Sequence, residues 1–205
     1  ITLTQAGSLL YPITFQKSGS NANPKLTRTD AGTNATSGNG GFGDAVLRID
    51  GTDNIHFNSL DIAASNQGIE YGYYVHKPNA TNGSQTLSIK NAIITMTKGS
   101  SAYVIGIYVD NGQTALGVSD GLSITSSNGQ HSNFTITGNT IQNVHKGIFC
   151  YGYSGYYLTP YYSDHDFIIG QNGAGNTIQN FGGGTAIESA GISTNYITQL
   201  HIDYN

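Results

Sequence analysis

The chain has 205 residues and a mass of 21.6 kDa, yet only 10% of its residues are Asp, Glu, Lys or Arg, against about 25% in an average soluble domain. Its net charge is −4 and its eight basic residues are scattered from Lys17 to Lys146, so no cationic stripe could neutralise a row of phosphates, and nucleic acid is excluded as the expected partner. No apolar run reaches the roughly 18 residues of a spanning helix, so the chain is not expected to span a membrane.

Scarce charge argues against long helices. Twenty-eight Gly and twenty Asn supply tight corners, and Thr, Ile, Val and Tyr suit strands. An early rung holds Ile13, Phe15 and Leu26. In Ala45-Val46-Leu47-Arg48-Ile49-Asp50, Leu47 and Ile49 share one face and Arg48 and Asp50 the other, the alternation of a half-buried strand. Gly51-Thr52-Asp53 turns the chain, and Ile55 and Phe57 then point inward. Leu60 and Ile62 have the opposite parity, which puts a corner at Asn58.

That corner recurs. Leu87 and Ile89 precede Asn91 and Ile93, and Phe134 and Ile136 precede Asn139 and Ile141. A second echo begins at Gly72-Tyr73-Tyr74-Val75 and returns at Gly106-Ile107-Tyr108-Val109, Gly147-Ile148-Phe149-Cys150 and Gly191-Ile192-Ser193-Thr194. The hexapeptide Gly-Asn-Thr-Ile-Gln-Asn occurs at both 138–143 and 175–180. Echoes at roughly 30–45 residue spacing mark a stacked array whose units bury their apolar faces against one another. The expected rungs are 45–66, 71–100, 103–145, 146–184 and 185–205, after an earlier one, with polar insertions at 79–84, 110–131 and 151–165. In such a stack Asn58, Asn91, Asn139 and Asn176 lie above one another as a structural ladder of side-chain amides; ligand binding is the other use of those amides. Cys150, the single cysteine, falls in phase with Ile148 and reads as a small buried hydrophobe. The chain stops just after the strand-like Leu200 to Tyr204, so residues 1–205 read as one solenoid segment excised from a longer chain, with further rungs of the parent as neighbours.

These residues, from Pro12-Ile13-Thr14-Phe15-Gln16 through Val46 to Phe57 and Gly106-Ile107-Tyr108-Val109 to Gly147-Ile148-Phe149, resemble the parallel β-helix repeats of large secreted and cell-surface proteins of Bacteroidota, typically exported by the type IX pathway. The resemblance implies an all-β, right-handed, pectate-lyase-like parallel β-helix of about five to six rungs with side-loop insertions, secreted or held at the cell surface. It does not imply an activity, because that fold serves lyases, hydrolases, tailspikes and non-catalytic adhesins. The expected role is an adhesive or spacer module that binds a polysaccharide or cell-surface glycan through side loops. A carbohydrate-active enzyme domain is the alternative.

Candidate site residues follow from those two readings. A lyase needs a base and acidic calcium ligands on one face, and Arg48 stands among Asp44, Asp50, Asp53 and Asp61; ordinary turn chemistry accounts for the same residues. No cofactor is required otherwise, and calcium is the one candidate. Asp164-His165-Asp166 is the densest ionisable group and the candidate for acid–base work, or else a solvated turn opening a rung. Tyr156, Tyr157, Tyr161 and Tyr162 crowd one insertion, where aromatic planes suit sugar faces or, alternatively, pack the loop down. The six histidines are isolated in sequence, without zinc spacing, and are expected at the surface, with His56 and His76 on outward strand faces.

Overall fold

The computed structural model describes residues 1–32, 43–99, 103–112, 121–153, 155, 161–183 and 188–205. Among them every regular element is a strand, apart from one 3₁₀ turn at Ser127–Gly129. Sheet A runs β1 (Thr2–Leu3), β4 (Ala45–Asp50), β7 (Tyr71–His76), β10 (Ile105–Val109), β13 (Lys146–Tyr151) and β16 (Ala190–Asn195). Sheet B runs β2 (Ile13–Gln16), β5 (Ile55–Asn58), β8 (Gln85–Lys90), β11 (Ser132–Thr137), β14 (Asp164–Ile169) and β17 (Ile197–Ile202). Sheet C holds β3 (Lys25–Arg28), β6 (Asp61–Ala64), β9 (Ile93–Thr95), β12 (Thr140–Val144) and β15 (Thr177–Phe181). All pairings between these strands are parallel, and within each sheet a strand bonds to the one three further along the chain. One circuit through A, B and C is therefore one rung of a right-handed parallel β-helix, as the resemblance implies.

Six rungs stack, the last with strands in sheets A and B only among the described residues. Because strands are about 4.8 Å apart, register sets like residues above one another. Ile13, Ile55, Leu87, Phe134, Phe167 and Leu200 form one inward column, and Leu26, Ile62, Ile94, Ile141 and Ile178 another. Their middle members are at most 1% exposed. Each such side chain contributes about 1.5–3 kcal/mol of burial, and aromatic members stack face to face, Phe134 on Phe167 at 4.6 Å.

The glycine of the second echo has a steric cause. At Gly72, Gly106 and Gly147 the sheet A backbone passes against an isoleucine of sheet C and the carbonyl of the next glycine in the column. A Cβ on Gly106 would lie 2.3 Å from Ile141 Cγ2 and 2.8 Å from the Gly147 carbonyl oxygen. Only hydrogen fits there.

Sheet A is also covered on its outer face, where alternation leads one to expect exposure. Ala45, Tyr71, Tyr74, Ile105, Tyr108 and Phe149 form a second buried cluster, with Tyr74, Tyr108 and Phe149 stacked at 5.3–5.4 Å. His76 lies beside this cluster and is 4% exposed. Its expected place at the surface is thereby corrected. His131 and His145 are likewise buried, because each joins two backbone segments. In each case Nδ1 accepts a backbone N–H, from Ser84 at 2.9 Å and Val104 at 3.1 Å, so Nε2 carries the hydrogen and donates to the carbonyl of Asp110 or Gly99, both at 3.0 Å. Burial holds both imidazoles below their ordinary pKa, that of His131 far below.

A Gly106→Ala substitution is expected to destabilise the protein by about 1–3 kcal/mol, read as a lower urea midpoint. An unchanged midpoint would mean that sheets A and C are further apart than described.

Candidate functional site

The sequence candidates do not converge on one place. Arg48 projects from the outer face of β4, bonds Asp50 at 2.6 Å and lies 5.4 Å from the Tyr74 ring centroid. Register sets Tyr74 and His76 beside Arg48 and Asp50, so the acidic grouping does not continue into the next rung.

Asp164 and Asp166 open β14 and face different surroundings. The expectation of a solvated turn is corrected for Asp164, whose side chain is wholly buried at the corner between sheets A and B. There Oδ1 accepts from Lys77 Nζ at 2.6 Å and from the His131 backbone N–H at 2.7 Å. Lys77 is equally buried and also reaches Asn111 Oδ1 at 3.1 Å. Burial pushes the Asp164 carboxyl up and the Lys77 ammonium down, each partly offset by the other's charge. Asp110 completes the corner, 99% hidden, accepting from Tyr74 Oη at 2.8 Å and lying 3.0 Å from His76 Nδ1. Nothing in the sequence spacing of Lys77, Asn111 and Asp164 announces this cluster. It exists because three rungs end at one corner.

Asp166 lies on the outer face of sheet B. It belongs to a column in which Asn54, Thr86, Asn133, Asp166 and Gln199 all adopt left-handed backbone, with φ of 53°, 59°, 57°, 61° and 51°. Asn and Asp tolerate that region best, which gives Asp166 a conformational reason to be present. The neighbouring outward column is His56, Ser88, Thr135, Ile168 and His201. Where these columns cross β11, β14 and β17 they line an open groove of about 520 Å³, with Asn133, Asp166 and Gln199 along one side and Thr135, Ile168 and His201 along the other. Of these, Asp166 is paired through its Oδ2 with His165 Nδ1 at 2.7 Å, the two side chains being 44% and 30% exposed. The groove presents amide, carboxylate, hydroxyl and imidazole groups around an Ile168 that is 40% exposed.

Among the tyrosine candidates, Tyr161 is 41% exposed and Tyr162 half-buried, leading directly into β14. Tyr156 and Tyr157 lie outside the described residues. No group of three or more His, Cys, Asp or Glu that could hold a metal comes together among the described residues, and no helix there is long and apolar enough to cross a membrane.

The four corner asparagines resolve into two runs in different frames. Asn91 Nδ2 donates to Asn58 Oδ1 at 2.8 Å, both exposed. Asn139 Nδ2 donates to Asn176 Oδ1 at 2.9 Å, and Asn176 to Asn205 at 2.8 Å. Between the runs, Asn139 aligns with Ala92, since Thr140 pairs with Ile93. Ile94 is accordingly the buried partner of Ile141, and Ile93, which the repeat pattern places inward, is 46% exposed. Asn139 also bonds the Ile89 carbonyl at 2.9 Å and the Ala92 N–H at 3.0 Å.

Compared with known proteins, the chain matches no family model, no curated protein and no solved structure. The class of protein is thus defined by its own fold, a right-handed parallel β-helix.

Replacing Asn139 by Ala strands two buried backbone groups, so a loss of about 2 kcal/mol or more is expected. Asn58→Ala, at the exposed run, is expected to cost less than about 0.5 kcal/mol. Thermal or urea unfolding of the two variants side by side checks this; equal effects would contradict the division into a buried and an exposed run.

Proposed function

We propose that this protein is a non-catalytic β-helix module of a secreted or cell-surface protein, which holds a glycan-binding groove on the outer face of sheet B. The observation that carries the reading is the groove itself. Three successive rungs offer Asn133, Asp166 and Gln199 along one line and Thr135, Ile168 and His201 along the next, so polar partners recur at the spacing of the strands. A sugar chain is a repeating ligand of the matching kind. Its hydroxyls accept from and donate to amides, carboxylates and imidazoles, while its C–H faces pack on Ile168. The backbone of a parallel sheet supplies rigidity, so little ordering is needed on binding.

The enzymatic alternative has one specific observation in its favour, the pairing of the groove-lining Asp166 with His165. An acid–base mechanism on a glycosidic bond requires a second carboxyl group across the bond, and Asp164, the nearest in sequence, is buried against Lys77. Binding is therefore the better-supported role.

Screening against neutral and acidic polysaccharides is expected to show binding without turnover. The double variant Thr135→Ala, His201→Ala removes two hydrogen-bonding groups from extended positions, and should weaken binding about tenfold, the equivalent of ~1.4 kcal/mol, at an unchanged melting temperature. New reducing ends or unsaturated products that vanish on Asp166→Asn would establish the enzyme instead. Absence of binding to every polysaccharide would leave a spacer.

A further inference from the structure

We propose that Lys77 and Asn111 become joined by a self-formed isopeptide bond, with Asp164 as the proton relay. The three groups meet at the buried corner between sheets A and B, away from the groove, and the proposal is independent of the glycan reading.

Geometry assigns the roles. Lys77 Nζ is 3.1 Å from Asn111 Oδ1 and 2.6 Å from Asp164 Oδ1, and Lys77, Asn111 and Asp164 are each at most 3% exposed. Lys77 and Asn111 follow β7 and β10 by equivalent steps, two residues beyond the register pair Val75 and Val109. The amide between them would tie neighbouring rungs together. The Asn111 carboxamide is fixed beside the amine, since its Nδ2 donates to the Leu122 carbonyl at 2.9 Å while Oδ1 accepts from Nζ. Asp164 is anchored by the His131 N–H, and its Oδ2 has no hydrogen-bond partner among the described residues. A buried carboxylate oxygen without a partner is costly; a protonated one can serve as a donor.

The chemistry needs nothing from outside. An ammonium is no nucleophile, but at this buried corner the charges on Lys77 and Asp164 are removed by moving one proton from Nζ to the carboxylate, the direction in which burial drives both groups. The free amine attacks Asn111 Cγ, forming the C–N bond and placing negative charge on Oδ1. Asp164 gives its proton to Nδ2 and takes the surplus proton from the attacking nitrogen. The Cγ–Nδ2 bond then breaks, ammonia leaves, and a secondary amide remains beside a neutral Asp164. Atoms and charge balance: one ammonium, one carboxylate and one carboxamide become one amide, one carboxylic acid and one ammonia. The product also replaces a buried ion pair, a weak stabiliser in itself, with a cross-link between residues 34 apart in sequence.

The intact mass of the purified protein decides the matter without any variant. It is expected to fall short of the sequence mass by one ammonia, with a branched peptide joining Lys77 to Asn111 after proteolysis. Lys77→Met and Asp164→Asn are expected to restore the full sequence mass, and Asn111→Asp to lose water in place of ammonia. Should a variant fail to fold, the branched peptide of the unaltered protein still reads the bond directly. A mass equal to the sequence mass would overturn the proposal. A deficit of one water, with Lys77 joined to Asp164, would overturn the assignment of Asn111 as the acceptor.

Discussion

Each rung of this molecule is fixed by the rung beside it. Parallel pairing at about 4.8 Å sets every residue over its equivalent, so a residue type is acceptable only if it tolerates a neighbour of similar character at that distance. Apolar residues do, which yields the inward columns of Ile, Leu and Phe and the face-to-face rings of Phe134 and Phe167. Amides do as well, since each has a donor and an acceptor, and Asn139 and Asn176 bond in that way. Like charges do not. The shortage of charged residues, which at first reads only as an argument against helices, is thus a consequence of stacking: where Arg48 stands in one rung, Tyr74 stands in the next.

The same constraint explains where polar chemistry collects. Side chains inside the coil must be apolar, and those in the strand faces must suit a column, so irregular polar groupings arise where the chain leaves its strands. The corner between sheets A and B gathers Lys77, Asp110, Asn111, His131 and Asp164 from successive rungs, all buried and bonded into one network. The outer face of sheet B takes the other course. Its left-handed column admits Asn133 and Asp166 for conformational reasons and, with Gln199, lines up three hydrogen-bonding side chains. One region closes in on itself and the other presents its polar groups to the outside.

Much of the architecture was legible because its signal is local. Alternation identified Leu47 and Ile49, the parity change at Asn58 identified the corner, and the echoes that begin at Gly72, Gly106, Gly147 and Gly191, with the repeated Gly-Asn-Thr-Ile stretch, gave the rungs. Frame was harder to read. Asn91-Ala92-Ile93 resembles Asn139-Thr140-Ile141 letter for letter at its ends, yet the backbone pairs Ala92 with Asn139, because register is set by the whole strand and not by one motif. The candidate sites were least legible. Lys77 and Asp164 are 87 residues apart, and no spacing rule links two positions whose meeting depends on the lengths of the insertions between them. The covered outer face of sheet A escaped for a related reason: alternation in Tyr71 to His76 records which side faces the coil but not that the other side is buried too.

Stacked register is the claim on which all of this rests, and cysteine pairing across the groove tests it most directly. Thr135 and Ile168 are register partners on adjacent rungs, at a strand separation of about 4.8 Å that lies within the roughly 4.4–6.8 Å a disulfide spans, whereas Thr135 and His201 are two rungs apart. Under mild oxidation the variant Thr135→Cys, Ile168→Cys should close a disulfide, with buried Cys150 uninvolved, and Thr135→Cys, His201→Cys should stay reduced. Closure of the second pair with the first left open would contradict the coiled register and the groove built on it.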